Sequence, residues 1–199
     1  MLRQLLKALK LAYKFGHLDD EDIIRIIINH SLGAAAAAVA SGWVPGAGGA
    51  IATGIALGFT LSMYYRLCNE MNIKLSKNKL KAIASVAIAE IAAYLVVIIA
   101  AETVLTFIPG IGSLGASALS GIVNFAMVYI AGALFLKLML AFTSFGKDVS
   151  SMSEDELKEA MKKEADKKTI ENTYKESKKI YKEAKNDSRY NKDDSSSMS

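Results

Sequence analysis

A chain of 199 residues accommodates one domain and a tail, and its make-up of 52% hydrophobic against 22% charged residues leans toward an apolar environment. The net charge of +4 rests on a few Lys and Arg beside apolar segments, which excludes a nucleic-acid-binding surface. One cysteine, Cys68, excludes an internal disulfide and a zinc cluster; His17 and His30 lack a metal-ligand spacing, so no cofactor is expected.

Residues 2–15 predict an amphipathic helix. Leu2, Leu5, Leu6, Leu9 and Tyr13 share one face, with Arg3, Lys7, Lys10 and Lys14 opposite. Such a helix can lie on an anionic membrane surface or pack on its own domain. Asp19-Asp20-Glu21-Asp22 then reads as a helix start, where carboxylates satisfy free N–H groups. The calcium-loop spacing is missing.

The first apolar helix is predicted over about 23–41, containing His30 and an alanine run, and is broken by Pro45-Gly46. The second covers about 47–65, following Gly48. Its Gly54-xxx-Gly58 spacing permits close helix approach in lipid. Nineteen residues give ~28 Å, just enough for a hydrocarbon core of ~30 Å. A basic loop, Arg66 to Lys81, follows, with Ser76 as the N-cap of a third apolar helix over about 80–106. That helix carries Glu90 and Glu102. After Pro109-Gly110 and Gly112, a fourth covers about 112–145 and holds Ser117, Gly121, Asn124 and, near its end, Lys137. Gly54/Gly58 and Ser117/Gly121 are the faces expected to make tight helix contacts.

Composition changes beyond Lys147. Residues 1–146 contain 11 Lys/Arg and 7 Asp/Glu, whereas residues 147–199 contain 13 of each. Ser153 and Glu156 predict a capping box opening one polar helix to about 185. Its narrow stripe (Leu157, Met161, Ala165, Ile170, Tyr174, Tyr181) fits a membrane surface, another helix or a solvated helix. Residues 186–199 lack a hydrophobic pattern and are expected to be disordered.

Two Pro-Gly-x-Gly turns sixty-four residues apart make an internal repeat. If each helix pair crosses and returns, every basic cluster falls on one side. The positive-inside rule then puts both termini in the cytoplasm, with a bacterial inner membrane as the expected site. The two pairs would be parallel repeats. Turns kept inside the bilayer as re-entrant wedges, and a soluble helical bundle, are the competing arrangements.

Glu90 lies ~13 Å into its helix, near mid-bilayer, so it should be neutral, paired or facing water. It is a candidate proton or cation site with His30 or Asn124, or a neutral interhelical hydrogen-bonder. Glu102 lies about 120° around the helix from Glu90, near the far interface. The glycine turns lack the Lys-Ser/Thr of a phosphate loop, and no nucleophile elbow is present.

Val44-Pro45-Gly46-Ala47-Gly48, Met63-Tyr64-Tyr65-Arg66, Asn72-Ile73-Lys74-Leu75-Ser76 and Ile108-Pro109-Gly110-Ile111-Gly112-Ser113 occur in an order that resembles the YcjF-type membrane domain. That family accompanies Era-like and immunity-related-type GTPases, and the resemblance covers about 22–140. It implies a domain that seats a GTPase at a membrane. This chain lacks a G-x-x-x-x-G-K-[ST] loop, so such a GTPase would be another chain. It also departs from the family pattern at Glu90 and Glu102.

The expectation is an all-α membrane bundle of two helical hairpins, preceded by a surface helix and followed by a polar cytoplasmic helix. Its function is expected to be non-enzymatic: an oligomeric scaffold, anchor or remodelling component in the lipid bilayer. The alternative is a toxin- or holin-like pore with Glu90 lining a polar path.

Overall fold

The computed structural model describes residues 1–13, 19–41, 48–104, 113–144 and 148–187; for 9–13, 48–50, 52, 99–104, 113–118 and 143–144 only the backbone is described. Pro45, Gly46, Pro109, Gly110, Gly112 and Lys14 therefore lie outside the described residues. The described residues are helical, with seven α-helices: α1 (Leu2–Tyr13), α2 (Asp20–Ala40), α3 (Gly48–Glu70), α4 (Lys77–Val104), α5 (Ser113–Ser144), α6 (Glu154–Glu164) and α7 (Lys167–Lys185). A 3-10 turn, Val149–Ser151, precedes α6.

Local chemistry sets the boundaries. The Asp19 carboxylate accepts from Glu21 N–H at 2.8 Å and caps α2. Gly48 opens α3. The other end of α3 is closed by Asn72 at φ 51°, a left-handed conformation that asparagine tolerates. Ile73 N–H then reaches Cys68 O at 2.8 Å, and Asn72 N–H reaches Asn69 O at 3.2 Å. Both bonds satisfy carbonyls left over by the last turn. Ser76 accepts from Lys79 N–H at 3.3 Å, as its N-cap reading requires.

α5 is the axis of the fold. It packs most extensively on α2, and also on α1, α3, α4, α6 and α7. Its side chains from Asn124 to Leu136 are buried without interruption. A soluble surface helix buries one stripe; a helix apolar all round needs neighbours all round. α2 runs antiparallel to it: Ile27 meets Gly132 and Val39 meets Gly121. α3 runs antiparallel to α2, with Phe59 against Gly33 and Ser62 bonded to His30.

One reading is corrected here, and one of two open alternatives is selected. The tail forms two helices, because the chain turns at Ala165 and Asp166 caps α7 through Thr169 N–H at 2.9 Å. Nor does the leucine face of α1 lie free for a membrane: Leu2 and Leu6 are buried, α1 packs on α5, and Arg3 and Lys7 point to solvent. Lys10 lies in α1, with its side chain outside the described residues.

The small residues also sort differently. A Cβ at Gly54 or Gly58 would meet no described atom within 4 Å, and both lie on the exposed face of α3. Tight approach occurs instead at Gly33, Gly121 and Gly132, where a Cβ would stand 2.5 to 2.9 Å from Phe59, Val39 and Ile27 respectively. Ser117 lies in α5 with its side chain outside the described residues. Gly121→Leu should therefore destabilise the bundle by about 1–3 kcal/mol through overpacking. Gly54→Leu and Gly58→Leu should leave fold stability unchanged or slightly raised, since leucine is the better helix former. Denaturant unfolding followed by circular dichroism compares them; equal losses at Gly54 and Gly121 would refute this assignment of faces.

Candidate functional site

A set of charged contacts lies where the two terminal segments meet α5. Leu119–Phe142 contains a single charged side chain, Lys137. Its ammonium lies 3.1 Å from Glu164 Oε2 and 3.3 Å from Asp166 Oδ2. It also donates to Thr169 Oγ1 at 3.0 Å and approaches Glu164 O at 3.5 Å. One lysine thereby grips the last turn of α6 and the first turn of α7. Two carboxylates and two neutral oxygens around it replace water as the solvent for the charge.

Asp166 responds to this setting. Burial raises its pKa, but hydrogen bonds from the Thr169 side chain and backbone and the charge of Lys137 outweigh that, bringing the carboxyl down from 3.8 to about 2. The side chain is 47% exposed, so solvent screening keeps its contribution below about 1 kcal/mol.

Further along, α7 lies antiparallel to α5. Tyr129 OH donates to Glu176 Oε1 at 3.0 Å, and the same oxygen lies 3.2 Å from the amine of Met1. The Tyr181 ring sits 5.1 Å from that of Phe125. The predicted apolar stripe faces inward: Leu157, Met161, Ala165, Ile170 and Tyr174 are buried and Tyr181 partly so. Of the three settings open to that stripe, the structure selects a helix surface of the same chain.

The predicted intramembrane polar residues sit on three different helices, α2, α4 and α5. His30 is buried; its Nδ1 donates to Ile26 O at 2.7 Å, leaving Nε2 to accept from Ser62 Oγ at 3.2 Å. Asn124 is fully buried and donates to Ser120 O at 3.1 Å, while its Oδ1 has no partner. Glu90 is half-buried on α4, and Glu102 lies in α4 with its side chain outside the described residues. Cys68 is buried, which pushes its thiol up to about 12 and leaves it a poor nucleophile. Among the described residues no group of three His, Cys, Asp or Glu could hold a metal ion.

Sequence reasoning missed the Lys137 node, since its partners lie 27 to 32 positions away. One local signal was available: Asp166 three residues before Thr169 is an N-cap spacing, which marks a helix start inside the supposed single helix.

Among the described residues three helices carry spans long and apolar enough to cross a membrane: Asp20–Ala40, Lys77–Ile98 and Leu119–Phe142. They point to a membrane protein. α3, diluted by glycine and threonine, is not among them. The span in α5 is 83% buried inside the chain, against 33% for that in α4. No family model, curated protein or solved structure matches the chain.

The pH dependence of the Lys137 node follows from the depressed carboxyl. Its contribution is complete above the ordinary value of 3.8 and is lost as pH falls through about 2. Denaturant midpoints measured from pH 5 to pH 2 should fall less steeply in Asp166→Asn than in the unaltered chain. Parallel curves would count against this carboxylate as the acid-sensitive group.

Proposed function

We propose that the chain is a non-enzymatic membrane scaffold or anchor, seated in the bilayer by the connection ends of its apolar helices. The observation that carries this is the distribution of exposed apolar side chains. Val39 near the end of α2, Ile51 near the start of α3, Val96 and Val97 on the outgoing part of α4, and Leu119 on the incoming part of α5 are 38% to 69% exposed; among the described residues Tyr65, toward the other end of α3, is the sixth large exposed apolar side chain. The Val39–Gly121 contact brings the end of α2 to the first part of α5, the Phe59–Gly33 contact sets α3 antiparallel to α2 so that its start points the same way, and α4 leads into α5 over eight residues. Clustered apolar surface at one end of a bundle is suited to lipid or a partner. The span-length apolar helices behind it favour lipid.

Charge supports this polarity. Between Ile26 and Tyr65 the sequence has no Asp, Glu, Lys or Arg. The opposite end carries Arg66, Glu70, Lys74, Lys77 and Lys79. α7 finishes beside the apolar end, because Tyr181 lies against Phe125. Exposed Lys182 and Lys185 would then stand at headgroup level, where anionic lipid attracts them. Both termini belong on the cytoplasmic side in this reading.

An assembly of several copies, and a cytoplasmic GTPase in trans, complete the proposal. The partner rests on the resemblance of the Pro-Gly turns and the intervening basic stretch to the YcjF-type domain. The exposed Gly54 and Gly58 face is available for contact between copies. The pore alternative has less support, because both ring nitrogens of His30 are engaged, by Ile26 and Ser62.

Vesicles of phosphatidylcholine and phosphatidylglycerol provide the test. The full chain should float with them, and the Val96→Asp, Val97→Asp double variant should float at least tenfold less with unchanged helix content. Equal flotation would reject the connection ends as the membrane seat.

A further inference from the structure

The arrangement of α5 and α7 sets a conflict that the membrane reading must resolve. Leu119–Phe142 is ~36 Å of helix, enough to cross a hydrocarbon core of ~30 Å. Yet α7 lies along the same stretch. Thr169 meets Lys137, Glu176 meets Tyr129 and Tyr181 meets Phe125, so the two helices share ~18 Å of length. α7 reads KKTIENTYKESKKIYKEAK, and its outward lysines 167, 168, 175, 179, 182 and 185 are exposed. Lysines at the depth of the bilayer centre are strongly unfavourable. Packed in this way, α5 and α7 cannot both occupy the membrane interior.

We propose that α7, with α6 as its strap, is a removable cover: it shields α5 from water in the closed chain and lifts away when α5 enters a bilayer. The proposal rests on the membrane reading above and adds a second state to it. Three features fit a cover that comes off as a unit. The chain joins it to α5 only at its α6 end. The ion pairs and hydrogen bonds at Lys137, at Tyr129 and at the Met1 amine are all partly exposed, so water can replace them. Its inward stripe is narrow, flanked by charges that water can solvate once it is released. Lipid tails replace the lost contacts, since they solvate the apolar face of α5 as well as Ile170 and Tyr174 do. Lys137 lies five residues from the end of the span, within snorkelling reach of the headgroups once Glu164 and Asp166 leave it.

Locking the cover tests this. In a Cys68→Ser background, Lys137→Cys and Thr169→Cys are joined by a short bismaleimide with a reducible centre, and the full chain is prepared without lipid. It is then mixed with phosphatidylcholine/phosphatidylglycerol vesicles. Flotation reads association; the fraction that stays with the vesicles through alkaline carbonate reads insertion. The unlinked double variant, which has lost the lysine grip, should insert at least as well as the Cys68→Ser parent. The linked form should show at least a tenfold smaller carbonate-resistant fraction, restored when the link is reduced. To guard against misfolding of that pair, zero-length carbodiimide coupling of the Lys137 amine to Glu164 in the unaltered chain, mapped by mass spectrometry, should give the same block. Insertion of the linked chain within twofold of the unlinked one overturns the cover while leaving the membrane seat intact. Failure of every form to float overturns the membrane reading and the cover with it.

Discussion

The constraint on which this fold depends is the solvation of α5. From Asn124 to Leu136 it offers no polar face, so water is a poor neighbour on any side. The chain meets that requirement with its own helices. α2 contributes the closest approach, made possible by Gly121 and Gly132, where side chains of Val39 and Ile27 reach the α5 backbone. α3 contributes Tyr64, whose ring stacks on Phe135 at 4.5 Å and whose hydroxyl donates to Ala131 O at 2.9 Å. α1 and α7 close the remaining sides. Every other feature, including the inward leucines of α1 and the tyrosines of α7, follows from the need to surround one helix.

This organisation changes the meaning of the terminal segments. By composition the C-terminal part is a neutral, soluble extension; by packing it is part of the core. The Lys137 node shows how the two descriptions coexist. A charge placed near the end of an apolar helix is stabilised by oxygens that arrive from α6 and α7, and those helices are in turn fixed in register by the charge. Such a pair of requirements is reciprocal, so loosening either partner loosens both.

Much of the helix pattern was legible in the sequence because its signals are local. The alanine-rich and isoleucine-rich runs gave α2, α4 and α5 within about three residues, and Asp19, Ser76 and the Ser153–Glu156 box fixed three starts through bonds to neighbouring N–H groups. What the sequence could not reveal is which surface covers which. Spacing alone puts Gly54 and Gly58 on one face, and it does the same for Leu2, Leu5 and Leu6. Only the fold decides that the first face is bare and the second is filled. Equally, periodicity located the inward stripe of α7 but left its partner open, because an apolar stripe fits lipid, a sister helix or a core alike.

The order of the chain adds a matter of timing. α5 is complete at Ser144, whereas Tyr181, the last α7 residue described against it, comes about 40 residues later. At ordinary rates of synthesis that interval is about 2–8 s. In chain order α7 is therefore the last of the described neighbours of α5 to be made, and its packing on α5 can only follow that of α1, α2, α3 and α4.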